Sequence, residues 1–140
     1  MIVLDSSFLV AYFNTRDVHH PAAARAMVQL VGGQWGQALL LEYVLLEVAT
    51  VIQARCGHAA AADAASRLLQ AREVDFVPCS DLFLETLATF RGQASGRLSF
   101  ADAAIVTVAR SHPPGHVATF DADFTDVDGV TVAPAQAPSG

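Results

Sequence analysis

Apolar residues along the chain come in two rhythms. Short apolar-rich runs stand at Met1 to Leu4, Ala38 to Leu41, Val74 to Val77, Val117 to Phe120 and Val130 to Val132, and each predicts a strand. The unbroken ones, Met1 to Leu4 and Ala38 to Leu41, predict strands buried on both faces, because a half-exposed strand would alternate polar and apolar positions. Between them lie longer segments with helical spacing. Ser6 or Ser7 is placed to cap a helix reaching about Phe13, where Asn14-Thr15-Arg16-Asp17 breaks it. His20-Pro21 opens a second helix, with Ala24, Met27, Val28 and Val31 as its predicted inner face, ended by Gly32-Gly33. Glu42 to Ala54 and Ala59 to Arg72 predict two more. Ser80 or Asp81 would cap a helix to about Ala94, and Ser99 one to Arg110.

Strands that alternate with helices imply an α/β fold: a central parallel sheet of four or five short strands with helices on both faces. The pattern predicts one domain over residues 1–133, and Ala-Pro-Ala-Gln-Ala-Pro-Ser-Gly reads as a flexible tail over about 134–140. Sheets of this kind gather their ligands beyond the carboxyl ends of the strands, at a topological switch point. Asp5 stands directly after the first strand run.

Composition narrows the reading. In 140 residues, 53% are hydrophobic and 16% charged, which argues for a packed core and against disorder. No apolar stretch approaches the ~20 residues that span a bilayer, and nothing basic precedes Asp5 as in a signal peptide. The expectation is a soluble cytoplasmic protein, with no membrane partner. Cys56 and Cys79 lack any metal-ligand spacing and read as free thiols. The net charge of −6 opposes a nucleic-acid partner on its own. All eight basic residues are arginines, so chemistry that requires a lysine is closed.

The acidic residues carry the candidate chemistry, and each has a plain structural explanation beside it. Asp5 suits a helix N-cap. Glu47, in EYVLLEVATVI, shares a helical face with Val44, Val48 and Val51, an awkward place for a solvated carboxylate unless it reaches water at the edge. Glu42 belongs more naturally to an exposed first turn. Asp102 completes a Ser99-x-x-Asp102 capping box, yet its helix is apolar nearly all round and predicts a buried central element. Asp121 and Asp123, in ATFDADF, follow another strand, where an Asp-rich turn is the alternative.

Taken together, Asp5, Glu47, Asp102 and Asp121 recur where a parallel sheet would gather them. Clustered carboxylates raise one another's pKa, and a hard divalent cation relieves that repulsion. Oxygen ligands suit Mg²⁺ or Mn²⁺, one ion or two, with Ser6 available to orient Asp5. A carboxylate-held cation activates water and neutralises charge at a phosphoryl centre. It also turns an electronegative site into a phosphate receptor, with Arg97 and Arg16 as candidate phosphate contacts.

Other uses of a strand-end acid fit less well. Phospho-acceptor receivers and dehalogenase-type phosphatases need a lysine, and the latter a second Asp where Ser7 stands. No Gly-x-Gly-x-x-Gly follows a strand, and there is no Gly-x-Ser-x-Gly. The five histidines fall in loops or at helix starts and read as surface residues.

In sequence and order, MIVLDSSFLVA, EYVLLEVATVI, LSFADAAIVTVAR and ATFDADF resemble the PIN-domain ribonucleases, and the small size is most similar to VapC-type toxins of toxin–antitoxin systems. The resemblance implies a PIN-like three-layer sandwich. It implies Asp5, Glu47 and Asp102 as the core metal-binding acids, Asp121 as a fourth, and Ser6 at the hydroxyl position after the first acid. The implied activity is Mg²⁺- or Mn²⁺-dependent endonucleolytic RNA cleavage, with a homodimer and a cognate antitoxin as partners. Glu42-Tyr43 departs from the Ser or Thr cap of many relatives. Whether Asp121 or Asp123 is the fourth ligand stays open. The alternatives are a catalytically inactive scaffold that binds protein and a housekeeping RNase without a toxin role.

Overall fold

A computed structural model describes residues 1–135; positions 136–140, the greater part of the expected tail, lie outside the described residues. In chain order the elements are β1 (Ile2–Leu4), α1 (Ser6–Phe13), α2 (His20–Val31), β2 (Ala38–Leu41), α3 (Glu42–Cys56) and α4 (His58–Gln70). There follow β3 (Val74–Val77), a 3-10 turn at Ser80–Leu82, α5 (Phe83–Gly92), α6 (Phe100–Arg110) and β4 (His116–Ala118). A second 3-10 turn at Ala122–Phe124 and β5 (Thr131–Ala133) complete the set.

All pairings are parallel and the strand order is β3-β2-β1-β4-β5. The chain steps outward from β1 through β2 to β3, then crosses back to β4 on the other side of β1. Right-handed crossovers in opposite directions put helices on opposite faces of the sheet. The order therefore reverses between β1 and β4, and the crevice at their carboxyl ends is the switch point. Register pairs Leu4 with Ala118, so the chain leaves both strands at the same level. The expected sheet and its helical layers are thus present.

β1 and β2 are buried throughout, as unbroken apolar strands require, and Ile2, Val3, Leu4, Leu40 and Leu41 are essentially sealed from water. Phe8, Leu9, Ile52, Ile105 and Phe124 fill the layers around them. Each such side chain contributes roughly 1.5–3 kcal/mol when fully buried. α6 is buried continuously from Ala103 to Ala109, as its apolar sequence predicts. At the start of β4, Gly115 has φ +77° and a Cβ there would lie 1.9 Å from the Gly129 carbonyl oxygen, so only glycine fits.

Several expectations shift. β3 is an edge strand and largely exposed, with Phe76 turned outward. In α2 the buried residues are Ala23, Ala26 and Leu30, while Val28 and Val31 face water. The inner face is thus turned by one position from the expected one. Ser80 and Asp81 do not cap α5; they form the 3-10 turn that leads into it. Cys56 and Cys79 are both unbridged, the latter buried. Among the described residues no helix is long and apolar enough to cross a membrane.

Candidate active site at the carboxyl edge of the sheet

β1 delivers Asp5 to the switch point, where it is the residue immediately before α1 and only 3% exposed. It does not cap that helix with its side chain. Its carboxylate is committed elsewhere. Oδ2 accepts the Ser7 hydroxyl at 2.7 Å and the Thr119 hydroxyl at 2.7 Å, the latter from just beyond β4. Each hydroxyl has one proton, and each in turn accepts a backbone N–H: Ser7 Oγ that of Phe120 at 3.0 Å, Thr119 Oγ1 that of Asp121 at 2.9 Å. The two loops after β1 and β4 are thereby laced together through one carboxylate oxygen. No side chain among the described residues bonds to Oδ1.

This corrects the role expected of Ser6. The hydroxyls that orient Asp5 belong to Ser7 and Thr119, while Ser6 is buried and offers Asp5 only its backbone. The Ser7 side chain points from the first turn of α1 across to the β4 loop, where the Thr119 hydroxyl completes the network. Thr119 has only a faint signal in the sequence, a hydroxyl two places before Asp121 at the end of a predicted strand.

Asp102 holds the place in the capping box that its spacing predicts. Its Oδ2 accepts the Ser99 N–H at 3.0 Å, and its own N–H donates to Ser99 Oγ at 3.1 Å. It is half-buried. Asp121 begins the turn after β4, and its Oδ1 accepts the Asp123 N–H at 2.9 Å. The Asp-rich turn is therefore real, and Asp121 is its first residue.

Electrostatics join these three. Burial pushes the Asp5 carboxyl above the ordinary 3.8; the Ser7 and Thr119 hydroxyls and the Ser6 backbone oppose that, and the Asp121 charge adds to it. Burial also raises Asp102, with the charges of Asp5 and Asp121 pushing the same way. Mutual repulsion places Asp5, Asp102 and Asp121 in one electrostatic neighbourhood.

Glu47 differs. It lies on α3, which packs against α1, but it is exposed and does not figure among the charges acting on Asp5 or Asp102. Its neighbours Val44 and Val48 are buried beneath it. The awkward carboxylate is instead Glu42, which is half-buried and accepts the Cys79 N–H at 3.0 Å, tying the start of α3 to the loop after β3. Among the described residues no three His, Cys, Asp or Glu side chains stand close enough to hold a metal ion as they are oriented. Capping ties Asp102, the turn ties Asp121, and Glu47 extends to water.

The arginines are also engaged. Arg97 Nε lies 3.2 Å from Asp123 Oδ1 in an exposed pair beside Asp121. Arg16 donates to the Arg55 carbonyl at 3.4 Å, at the last turn of α3. One histidine is closer to the site than expected. His19 stacks on Phe120 with ring centroids 4.6 Å apart and planes 5° from parallel.

The chain and fold that carry these acids have counterparts among known proteins. The 23S rRNA-specific endonuclease VapC20 of Mycobacterium tuberculosis is 33% identical over 135 residues, covering 96% of this chain and 99% of that one. The crystal structure of VapC20, described as a sarcin–ricin loop cleaving toxin, superposes with a TM-score of 0.78 at 28% identity, covering 89% of this chain and 93% of that one. A chain from a toxin–antitoxin complex of Klebsiella pneumoniae shares the fold with a TM-score of 0.65 at 19% identity, covering 94% and 96%. The model of the PIN domain matches residues 2–130, nearly everything that the structure describes. On this agreement of sequence and fold, the chain belongs to the PIN-domain family.

Proposed function

We propose that this protein is an endoribonuclease that cleaves RNA phosphodiesters with the aid of a divalent cation, and that it is the toxin of a type II toxin–antitoxin pair. The observation that carries the reading is the end-to-end relationship to VapC20, named as a 23S rRNA-specific endonuclease. A large structured RNA of that class is the substrate proposed here.

Asp5, Glu47, Asp102 and Asp121 are the residues proposed to hold one or two Mg²⁺ or Mn²⁺ ions. The donor set fits such an ion. It consists of hard oxygens, and two of its members are held above their ordinary pKa by burial and by one another. When bound, the cation supplies a lowered pKa for water and neutralises charge at the phosphate. The chain's own contribution is placement. Ser7 and Thr119 pin Asp5 by Oδ2, and no side chain among the described residues bonds to Oδ1. Ser99 fixes Asp102, and the turn at Asp123 fixes Asp121. Glu47 turns inward from its exposed position to join them. Between the two candidates for the fourth acid, Asp121 is favoured because Asp123 is already neutralised by Arg97. Arg97 exchanges that partner for a substrate phosphate, whereas Arg16 stands farther out at the end of α3.

The proposed partners are the RNA, a cognate antitoxin that covers the crevice, and a second copy of the chain. The exposed Phe83, Leu84, Leu87 and Phe90 of α5 support the second copy. Two unbridged cysteines support a cytoplasmic location.

The test is incubation of the purified, antitoxin-free protein with ribosomal RNA and Mg²⁺, beside Asp5→Asn. Site-specific cleavage by the wild type alone, abolished by EDTA, is expected. Equal cleavage by both proteins, or cleavage indifferent to EDTA, overturns the reading. The open arrangement of the acids favours one rival, an inactive PIN scaffold that binds protein. That rival predicts no RNA cleavage and no carboxylate-dependent binding of Mn²⁺.

A further inference from the structure

Beside the carboxylates stands a ladder of three aromatic rings that runs from the core to the surface. Phe8 of α1 is sealed in the core, and its ring centroid lies 6.0 Å from that of Phe120, with the planes 26° apart. Phe120 is half-buried, and on it lies the His19 ring at 4.6 Å, nearly parallel. His19 itself is exposed. The stack is held at both ends. The Phe120 N–H donates to Ser7 Oγ, which donates to Asp5, and Phe120 precedes Asp121 in the chain. The His19 backbone N–H donates to Asp17 Oδ1 at 2.8 Å, and His19 is the residue from which α2 starts.

An exposed imidazole held flat on a half-buried phenyl ring has little to do for stability, since its outer face remains wet. It is what an unpaired base requires. RNA recognition depends on splayed bases that stack on aromatic and histidine rings, and every base offers a π-face. We propose that His19, backed by Phe120, is a stacking platform for an unpaired nucleobase next to the phosphodiester held at the carboxylates. The proposal rests on the endoribonuclease reading above and adds a subsite to it. His19 is then a positioning residue: it fixes the register of the strand and touches neither the cation nor the reacting phosphate.

The experiment compares wild type, His19→Ala and His19→Phe. Steady-state cleavage of a structured RNA fragment is measured, with melting curves confirming that all three proteins fold. Removing a base–aromatic stack should raise KM about tenfold or more in His19→Ala and leave kcat nearly unchanged, while His19→Phe stays close to wild type. A second readout needs no cleavage. Single-stranded RNA carrying 2-aminopurine, in EDTA, should lose fluorescence on binding the wild type and His19→Phe but not His19→Ala. Unchanged KM and quenching in His19→Ala overturn the platform. Equal losses in both variants overturn it as well, since they would mean a polar contact of the imidazole. Absence of cleavage by the wild type would instead count against the nuclease reading, while quenching still reports on the platform.

Discussion

Thr119 donates its hydroxyl to Asp5 Oδ2 at 2.7 Å across a separation of 114 residues. This bond and its twin from Ser7 join the two strands that flank the switch point. Thr119 is wholly buried, and its oxygen also accepts the Asp121 N–H. One small side chain therefore sets the positions of two of the proposed ligands.

Replacing Thr119 by valine keeps the shape and removes both bonds. Hydrogen bonds to charged groups contribute about 1.5–3 kcal/mol, and the stranded Asp121 N–H adds to the loss. Loss of a group that orients a ligand typically lowers metal affinity about 10–100-fold. Thr119→Val should show both effects, and Thr119→Ser, which keeps the hydroxyl, neither. Thermal melting and Mn²⁺ titration read them separately.

Asp102 completes a capping box and is also a proposed cation ligand, and substitution can divide the two. Asparagine retains an oxygen to accept the Ser99 N–H, so Asp102→Asn should melt close to wild type while losing RNA cleavage. Asp102→Ala loses the box and should cost about 0.5–2 kcal/mol of stability besides. Ser99→Ala should show the stability loss with much of the cleavage retained. If cap and activity fall together in every variant, the acid has no separate chemical role.

The raised carboxyls fix a pH dependence with a definite sign. Asp5 and Asp102 bind their protons more tightly in the folded chain than in the unfolded one. Above 3.8 the folded state therefore holds more protons, and stability from these groups declines as the pH rises through the window up to their raised values. In EDTA, Asp5→Asn should then melt higher than wild type at pH 7, on the order of a few degrees, with the difference shrinking toward pH 4. Mn²⁺ should raise the wild-type melting temperature at pH 7 and do so less in acid, where Asp5 and Asp102 hold their protons. Melting scans between pH 4 and 8 decide it. A destabilised Asp5→Asn at pH 7 would contradict this sign.

The apolar side of α5 yields a prediction about assembly. Leu84 is 82% exposed and Phe83 50%, and the Phe83 ring lies 6.0 Å from Tyr43 at the start of α3. If a second copy covers this face, the wild type is a dimer by light scattering and Leu84→Asp a monomer with unchanged melting. A monomeric wild type would rule the dimer out.

Much of this architecture is legible along the chain, and the losses have physical reasons. Ile2-Val3-Leu4 and Ala38 to Leu41 are apolar without a break, and only a strand covered on both faces tolerates that. Asp102 announces itself because a capping box has a fixed spacing. Thr119 does not, because a hydroxyl that meets a partner more than a hundred residues away leaves no local pattern. Ser6 and Ser7 are indistinguishable in sequence; which one faces β4 depends on where α1 begins. Glu47 and Glu42 show the same limit. Both sit in one apolar helix, and only the packing of the loop after β3 determines that Glu42 is the one drawn in, by Cys79. The stack of His19 on Phe120 is tertiary throughout, so a histidine at a helix start read as mere surface.

Asp5, Glu47, Asp102 and Asp121 are proposed to act as one cation site. The decisive experiment is titration of the antitoxin-free protein with Mn²⁺, following the free ion by electron paramagnetic resonance. Saturable binding of one or two ions per chain, lost in Asp5→Asn and sharply weakened in Asp102→Asn, Glu47→Gln and Asp121→Asn, is the predicted result. Binding unaltered by these four substitutions, or no binding by a wild type that still cleaves RNA, would contradict it.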